Sequence, residues 1–184
     1  MRTLRVAFLG LAMVLASTGL SLAEVVYSKG GEAVYQFDPP KGWKLRKGTY
    51  RLNPAPAGMS ETPPIYSLRP KQTGDSMWVG TWSPDHASTI KEFGAKLKGL
   101  RGRLMSKSHV TYIDKRVING LPVGIWAATG MREGKWYDLA FAAVQIQPDE
   151  LAVVAFIGER ADFDRYEKEL SDMLATVRPA GEAK

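Results

Sequence analysis

Closely spaced turn signals in the C-terminal half constrain this sequence more than any other feature. Three pairs of turn residues divide 108–158 into four segments: Asn119-Gly120, Glu133-Gly134 and Pro148-Asp149. The segments are rich in β-branched and aromatic residues, and Asn-Gly between such segments is among the strongest signals for a hairpin. The spacing therefore predicts a four-stranded antiparallel meander, because strands joined by two-residue turns pair with their neighbours in the chain.

With two-residue turns, the register of the four strands follows directly from the sequence. One row of neighbours is predicted to be Ile113, Trp126, Phe141 and Phe156. The next row, on the opposite face, is predicted to be Asp114, Ile125, Ala142 and Ala155. One face is then bulky and aromatic, and the other is flatter and built of Ala, Val and Ile. Because both faces of the central strands are apolar, each needs a covering layer in water.

Two apolar stripes at helical spacing provide those layers. The first follows the start signal Ser83-Pro84-Asp85 and consists of Ile90, Phe93, Leu97, Leu100 and Leu104. The second follows Asp162, the expected cap, ends at Pro179 and consists of Phe163, Tyr166, Leu170, Met173 and Val177. The predicted class is α+β. It is an α/β/α sandwich whose mainly antiparallel sheet ends in the C-terminal meander and has a helix on each face.

The segment before the first helix predicts short strands and one loop. Strands are expected at 33–37, 65–69 and 76–83, with a further extended piece opened by Trp43. Four prolines lie between Asn53 and Pro64, and proline disfavours the interior of any regular element, so we predict a loop there. Such a loop is either a lid or docking element or a plain connector.

The first 23 residues have the pattern of a secretory signal peptide. Two arginines precede a short apolar run over 6–15, and the segment closes on the small-residue sequence Ser21-Leu22-Ala23. A membrane-spanning helix needs about 20 apolar residues, so the run favours cleavage after Ala23 over an uncleaved anchor. With no Cys to carry a lipid, we expect a periplasmic or secreted protein that is not a lipoprotein and has no stable membrane insertion.

The composition argues against most kinds of catalysis. Without Cys there are no disulfides, no thiol nucleophile and no thiolate metal site. His86 and His109 lie in separate segments, so no zinc motif can be written. Asp114 is the one candidate for a general acid, and it lies near Arg116 at a sheet edge, where water keeps it ionised. We predict no catalytic residues, no metal and no cofactor, and a hydrolase is only a remote alternative.

The formal net charge of +6 comes partly from a basic cluster around the first helix. Its members are Lys91, Lys96, Lys98, Arg101, Arg103 and Lys107. An anionic surface is one possible partner, but no aromatic residues are interleaved with the cluster. We interpret it as the solvated face of an amphipathic helix and expect no nucleic-acid partner.

Two tryptophans are the best remaining indication of a binding site. Trp78 and Trp82 are four apart on one strand, so both lie on the same face, and His86 follows just past the strand. The three residues could form an aromatic wall with a polar group at its lip, suited to an apolar or sugar ligand. The alternative is that both tryptophans are core residues, because buried Trp contributes a large apolar area.

The element order and several local motifs resemble the PsbP/Mog-type fold family. The resemblance rests on Phe37 before Pro40-Lys41-Gly42-Trp43, on Ile118-Asn119-Gly120-Leu121-Pro122, and on the closing stripe Phe163, Tyr166, Leu170 and Leu174. It spans about 33–178 and implies an α/β/α sandwich and a role that is usually non-enzymatic; the family includes exported bacterial members of unknown role. The length fits one such domain over 24–178 and leaves a tail over 179–184.

Two functions therefore stay open from the sequence. The first is an exported, non-enzymatic accessory or binding protein that acts by contact with another envelope protein. The second is a carrier of a small ligand, with its pocket near Trp78, Trp82 and His86. A conserved exposed patch would favour the first, and a deep cavity beside the tryptophans would favour the second.

Overall fold

The structure is a computed structural model that describes residues 24–49, 51–55, 58–71 and 77–181, and the predicted signal peptide lies outside these ranges. Within them the two helices are α1 (Ile90–Leu104) and α2 (Arg160–Leu174). The strands are β1 (Val25–Lys29), β2 (Glu32–Phe37), β3 (Lys44–Arg46), β4 (Arg51–Ala55), β5 (Gly58–Thr62), β6 (Tyr66–Arg69), β7 (Met77–Trp82), β8 (Ser106–Ile118), β9 (Leu121–Arg132), β10 (Lys135–Gln147), β11 (Glu150–Gly158) and β12 (Arg178–Pro179).

The strands form one large sheet and two small ones. The large sheet has seven strands in the order β3-β6-β7-β11-β10-β9-β8, and every neighbouring pair is antiparallel. The first small sheet has the order β1-β2-β12, and the second pairs β4 with β5. The predicted α+β class is confirmed.

The predicted register holds for the first two turns of the C-terminal half. Ile113 pairs with Trp126, and Trp126 pairs with Phe141, as expected. The turn residues Asn119 and Gly120 both have positive φ angles, 51° and 78°, which is the backbone of a two-residue type I′ turn. Local turn chemistry therefore sets these two registers.

The predicted register of the last hairpin is wrong by one residue. Phe141 pairs with Ala155 instead of Phe156, because a β-bulge between Gln145 and Gln147 adds one residue to β10. A slip of one residue turns every side chain beyond it to the other face. Phe156 therefore lies on the face opposite Phe141 and is not part of the predicted aromatic row.

The two faces of the large sheet carry separate cores. On one face α1 covers a core that includes Phe93, Leu97, Phe141 and Ala155. The other core includes Phe156, whose ring centroid lies 5.0 Å from that of Phe163 on α2. This second face is covered jointly by α2 and by the β1-β2-β12 sheet. Each helix thus covers one face, and α2 shares its face with a small sheet.

Tyr35 joins the small sheet to the large one. Its side chain is fully buried, and its hydroxyl lies 2.6 Å from the hydroxyl of Thr81 on β7. The ring of Tyr27 stacks on that of Tyr35 with centroids 4.6 Å apart, and the Tyr27 hydroxyl donates to the carbonyl of Pro64 at 2.8 Å. Burial raises the pKa of Tyr35 well above its ordinary value, so the hydroxyl stays protonated.

The first helix starts later than predicted. It begins at Ile90, and Thr89 is its N-cap, with a side chain that accepts a hydrogen bond from the Glu92 amide at 3.2 Å. The Glu92 carboxylate accepts in turn from the Ser88 amide at 2.9 Å, so a capping arrangement stops the helix from extending back to Ser83. This exposed hydrogen bond lowers the pKa of the Glu92 carboxyl.

The boundaries of the last helix also differ from the prediction. The N-cap is Glu159, and Asp162 lies in the first turn, where a negative charge still favours the helix N-terminus. The helix ends at Leu174, well before Pro179. Pro179 pairs with Tyr35 as part of β12, so the chain beyond 178 continues along the small sheet and is not a free tail at that point.

The predicted Asn53–Pro64 loop is wrong for most of its length. Its backbone forms the β4–β5 hairpin, in which Pro54 pairs with Met59. Proline is excluded from the interior of a sheet because it lacks an N–H. In a two-stranded ribbon each strand has a free side, and there proline removes no ladder hydrogen bond.

Candidate binding surfaces

A polar cluster lies where the small sheet meets the start of β11. The Lys29 ammonium donates to Ser83 Oγ at 3.2 Å and to Glu150 Oε1 at 3.1 Å, and it lies 3.6 Å from Asp85 Oδ1. The Ser83 hydroxyl also donates to the Glu150 carboxylate. Serine beside lysine can form a nucleophilic pair, but Ser83 is completely buried, so no substrate reaches its oxygen. The cluster therefore joins three chain segments: β1, the segment after β7 and the start of β11.

This polar cluster has no signature in the sequence. Its four members come from β1, from the segment after β7 and from β11, and no local pattern links them. The two histidines stand apart from it, because His86 and His109 are both exposed. Among the described residues, no group of three or more His, Asp or Glu side chains could hold a metal ion.

The predicted tryptophans line a concave pocket of about 460 Å³ on the α1 side of the large sheet. Trp78 and Trp82 are partly buried and pack against the core under α1, while Met77 and Val79 face the other core, as the alternation predicts. The Trp78 indole donates to Ser67 Oγ at 3.2 Å. His86 is not among the lining residues, so the structure brings together two of the three predicted site residues.

The walls of this tryptophan pocket are mixed in character. Leu104 and Tyr137 add apolar surface, and Arg69, Arg132 and Glu133 add charges of both signs. The Trp78 ring lies over Gly80, where a Cβ would come within 2.1 Å of the ring, so this wall depends on glycine at that position. A pocket of this size and lining suits a small, mainly apolar molecule.

The second candidate surface is the free edge of the large sheet. β8 ends the sheet, is 13 residues long, and among the described residues no strand pairs with its outer side. Four large apolar side chains are exposed on it: Val110 (47%), Tyr112 (46%), Ile113 (62%) and Val117 (68%). The opposite edge strand, β3, has only three residues. We call these four residues and the outer backbone of β8 the β8 edge surface.

An apolar groove of about 280 Å³ runs between the β8 edge surface and α1. Its walls include Gly94, Leu97, Arg101, Val110, Ile113 and Trp126. A Cβ at Gly94 would lie 2.9 Å from the Trp126 ring, so glycine lets the helix come close to the groove floor. The Nε atom of Arg101 is buried and has no hydrogen-bond partner among the described residues.

On the other face of β8, a small polar network includes Asp114, which is the one acidic residue of the strand. Arg116 Nε donates to Asp114 Oδ2 at 2.8 Å, and the Tyr112 hydroxyl donates to the same oxygen at 3.0 Å. The hydrogen bond from Arg116 lowers the pKa of the partly exposed Asp114 carboxyl. This agrees with the prediction of a solvated, ionised charge at a sheet edge and leaves Asp114 unsuited to act as a general acid.

No protein-family model matches this chain, and no curated protein sequence matches it. Its fold is similar to that of cyanobacterial PsbP (CyanoP) from Synechocystis sp. PCC 6803, with a TM-score of 0.55 and 10% identity over 91% of this chain and 98% of that one. LpqN, involved in cell envelope biogenesis of Mycobacterium tuberculosis, has a TM-score of 0.52 and 11% identity over 85% of this chain and 90% of that one.

A longer protein from Bacteroides thetaiotaomicron is also similar in fold, with a TM-score of 0.54 and 11% identity. The match covers 90% of this chain and 51% of that one. At such identities the likeness concerns the fold and carries no binding residues. The architecture described above is thus a PsbP-like fold.

Proposed function

We propose that this protein is an exported, non-enzymatic accessory protein that binds another envelope protein through the β8 edge surface. The observation that carries the proposal is the exposed apolar character of a long edge strand. An edge strand presents unpaired N–H and C=O groups, and natural proteins usually shorten, charge or cover such edges. β3 follows that rule with three residues. β8 carries basic residues and a bulge, but it extends over 13 residues and still exposes four large apolar side chains.

The export part of the proposal rests on the N-terminal sequence. Cleavage after Ala23 would release a chain without a lipid-carrying cysteine. Neither helix among the described residues is long and apolar enough to cross a membrane. LpqN, which is similar in fold, is described as involved in cell envelope biogenesis, and this supports a place for our chain in the same compartment class.

The non-enzymatic part of the proposal rests on the placement of the reactive side chains. Ser83 is buried, the histidines are exposed and separate, and Asp114 is held as an ion by Arg116. A nucleophile needs a base within hydrogen-bond reach and access for a substrate. Among the described residues, we find no serine that has both a base within hydrogen-bond reach and access for a substrate.

A second candidate function is favoured by the tryptophan pocket. Its volume of about 460 Å³ and its aromatic wall suit a small apolar ligand or sugar. Native mass spectrometry of the protein, purified gently from its host, tests this candidate. A retained small mass that is lost in a Trp78→Ala variant supports a carrier, and a clean monomer mass opposes it.

Site-specific photo-crosslinking in the host tests the protein-contact proposal. A photoreactive phenylalanine analogue replaces Ile113 in one variant and Trp136 in the control, which is 56% exposed at the distant β9–β10 turn. We expect a discrete crosslinked protein band from position 113 and none from position 136. Equal bands from both positions, or no band from position 113, would contradict the proposal.

A further inference from the structure

We propose that the β8 edge surface takes an extended, acidic segment of its partner, which adds to the large sheet as a strand beside β8 and places one apolar side chain in the groove against α1. This inference rests on the proposed function and names the chemistry of the partner. It joins three observations: the free backbone of β8, the groove next to it and the positive charge around the groove.

The free backbone of β8 provides the docking template. Every second residue of an edge strand directs its N–H and C=O outward, and strands pair residue for residue, so the regular stretch from Tyr112 to Ile118 can pair with a partner segment of about seven residues. Main-chain hydrogen bonds then give affinity that depends little on sequence, and pockets for alternate side chains give specificity. The bulge between Val110 and Tyr112 places the start of such a ladder at Tyr112.

The groove provides the specificity pocket. Val110 and Ile113 of β8 face Leu97 of α1 across it, and the Trp126 ring forms part of its floor. An added strand places alternate side chains on the α1 side of the sheet, directly over this groove. Its volume of about 280 Å³ accommodates one large apolar side chain.

The charges around the groove select an acidic segment. The buried Nε atom of Arg101 lacks a partner among the described residues, and a carboxylate entering the groove would accept a charge-assisted hydrogen bond from it. Lys107 and Lys115 are exposed on β8, and Lys96 is exposed on α1. The one acid of β8, Asp114, is already held by Arg116.

The same charges argue against a second copy of this chain as the occupant. Two β8 strands brought side by side would place Lys107 and Lys115 of each copy against an equally basic edge, while Arg116 is offset by Asp114. Like charges opposite each other destabilise a strand pair. The formal net charge of +6 falls by two, to about +4, when Arg2 and Arg5 leave with the predicted signal peptide, and this remaining charge adds long-range repulsion between copies.

Peptide binding to the protein purified from its host tests the inference. The probes are two fluorescein-labelled nonapeptides whose odd positions share one face of the added strand. Phe stands at position 5, Thr stands at the even positions, and positions 3 and 7, on the same face as Phe, carry Glu in one peptide and Lys in the other. Fluorescence anisotropy measures each affinity. We expect the Glu peptide to bind at least tenfold more tightly than the Lys peptide.

Two pairs of variants locate the binding. Arg101→Gln is expected to lower the affinity for the Glu peptide about tenfold, since hydrogen bonds to charged groups contribute at this level. Arg132→Gln removes the same charge beside the tryptophan pocket and is expected to leave the affinity within twofold. Ile113→Glu should lower the affinity for the Glu peptide more than Ile113→Lys does. Ile113 is exposed, so neither substitution alters a buried position.

Three results would overturn the inference. They are equal binding of the two peptides, equal effects of Arg101→Gln and Arg132→Gln, and a β8-mediated dimer in sedimentation that Ile113→Lys dissociates. If the crosslink from position 113 still appears, the protein-contact function stands and only the acidic strand is wrong. If that crosslink is also absent, both proposals fail.

Discussion

The hydroxyl pair of Tyr35 and Thr81 gives a sharp test of how the small sheet is attached to the large one. Both side chains are buried, with exposed fractions of 0% and 1%, and the two oxygens lie 2.6 Å apart. Tyr35→Phe removes one hydroxyl and leaves that of Thr81 buried without this partner. Such an orphaned group costs about 1–3 kcal/mol of unfolding free energy. Thr81→Val orphans the tyrosine hydroxyl and should cost a similar amount.

The double variant separates this explanation from simple loss of packing. Tyr35→Phe with Thr81→Val removes both polar groups at nearly constant shape, and such paired replacements can be almost neutral. We therefore expect the double variant to lose less stability than the two single variants added together, with a coupling of about 1–3 kcal/mol. Urea unfolding of all four proteins, followed by tryptophan fluorescence, measures the cycle. Strictly additive losses would refute the reasoning.

Three further predictions concern the same framework. Burial raises the pKa of both Tyr27 and Tyr35 far above the ordinary value of 10.0, so each phenol lowers the unfolding free energy above pH 10 as its unfolded form ionises, by up to about 1.4 kcal/mol per pH unit. Tyr27→Phe should remove one of these two contributions and leave that of Tyr35 in urea titrations at pH 9 to 11, and an unchanged slope would contradict this. Gln145 Nε2 donates to the Ser88 carbonyl at 2.8 Å, so Gln145→Ala should lower the unfolding free energy by about 1–3 kcal/mol in urea titration, and a neutral result would show that this link to α1 contributes nothing. Thr89→Ala removes the α1 cap and should cost about 1 kcal/mol by thermal unfolding, while Thr89→Ser should retain most of the stability; equal losses would be inconsistent with capping.

The parts of the fold that could be predicted are those encoded by neighbouring residues. The Asn119-Gly120 and Glu133-Gly134 turns adopt positive φ at both positions, and they set two strand registers without help from the rest of the chain. The alternation along β7 likewise placed Trp78 and Trp82 on the face opposite Met77. In each case the relevant physics acts within one turn or one strand.

The errors arise where distant segments decide the local structure. The Gln145 amide binds carbonyls of both the β10–β11 turn and the segment before α1, and the bulge lies beside it. No periodicity in the sequence reveals that contact. Proline is tolerated at position 54 because β4 pairs with a single strand. How many strands pair with a given strand is decided by the whole sheet and not by the local sequence.

The candidate sites divide in the same way. The tryptophan wall follows from alternation within one strand, so the sequence indicated it. His86 lies in the segment before α1, where it is exposed and does not line the pocket. The β8 edge surface depends on β8 being last in the sheet order. The lysines on that strand were a usable signal, because charged residues are typical of sheet edges.

Amide hydrogen exchange of β8, with and without the Glu peptide, tests strand addition at this edge most directly. In the free protein, the outward N–H groups between Val110 and Val117 should exchange faster than those of the central strand β10. Binding of the peptide should slow exchange at alternate residues of β8 and leave β7, beside the tryptophan pocket, unchanged. Peptide binding without protection on β8, or with protection centred on β7, would contradict docking at the β8 edge surface.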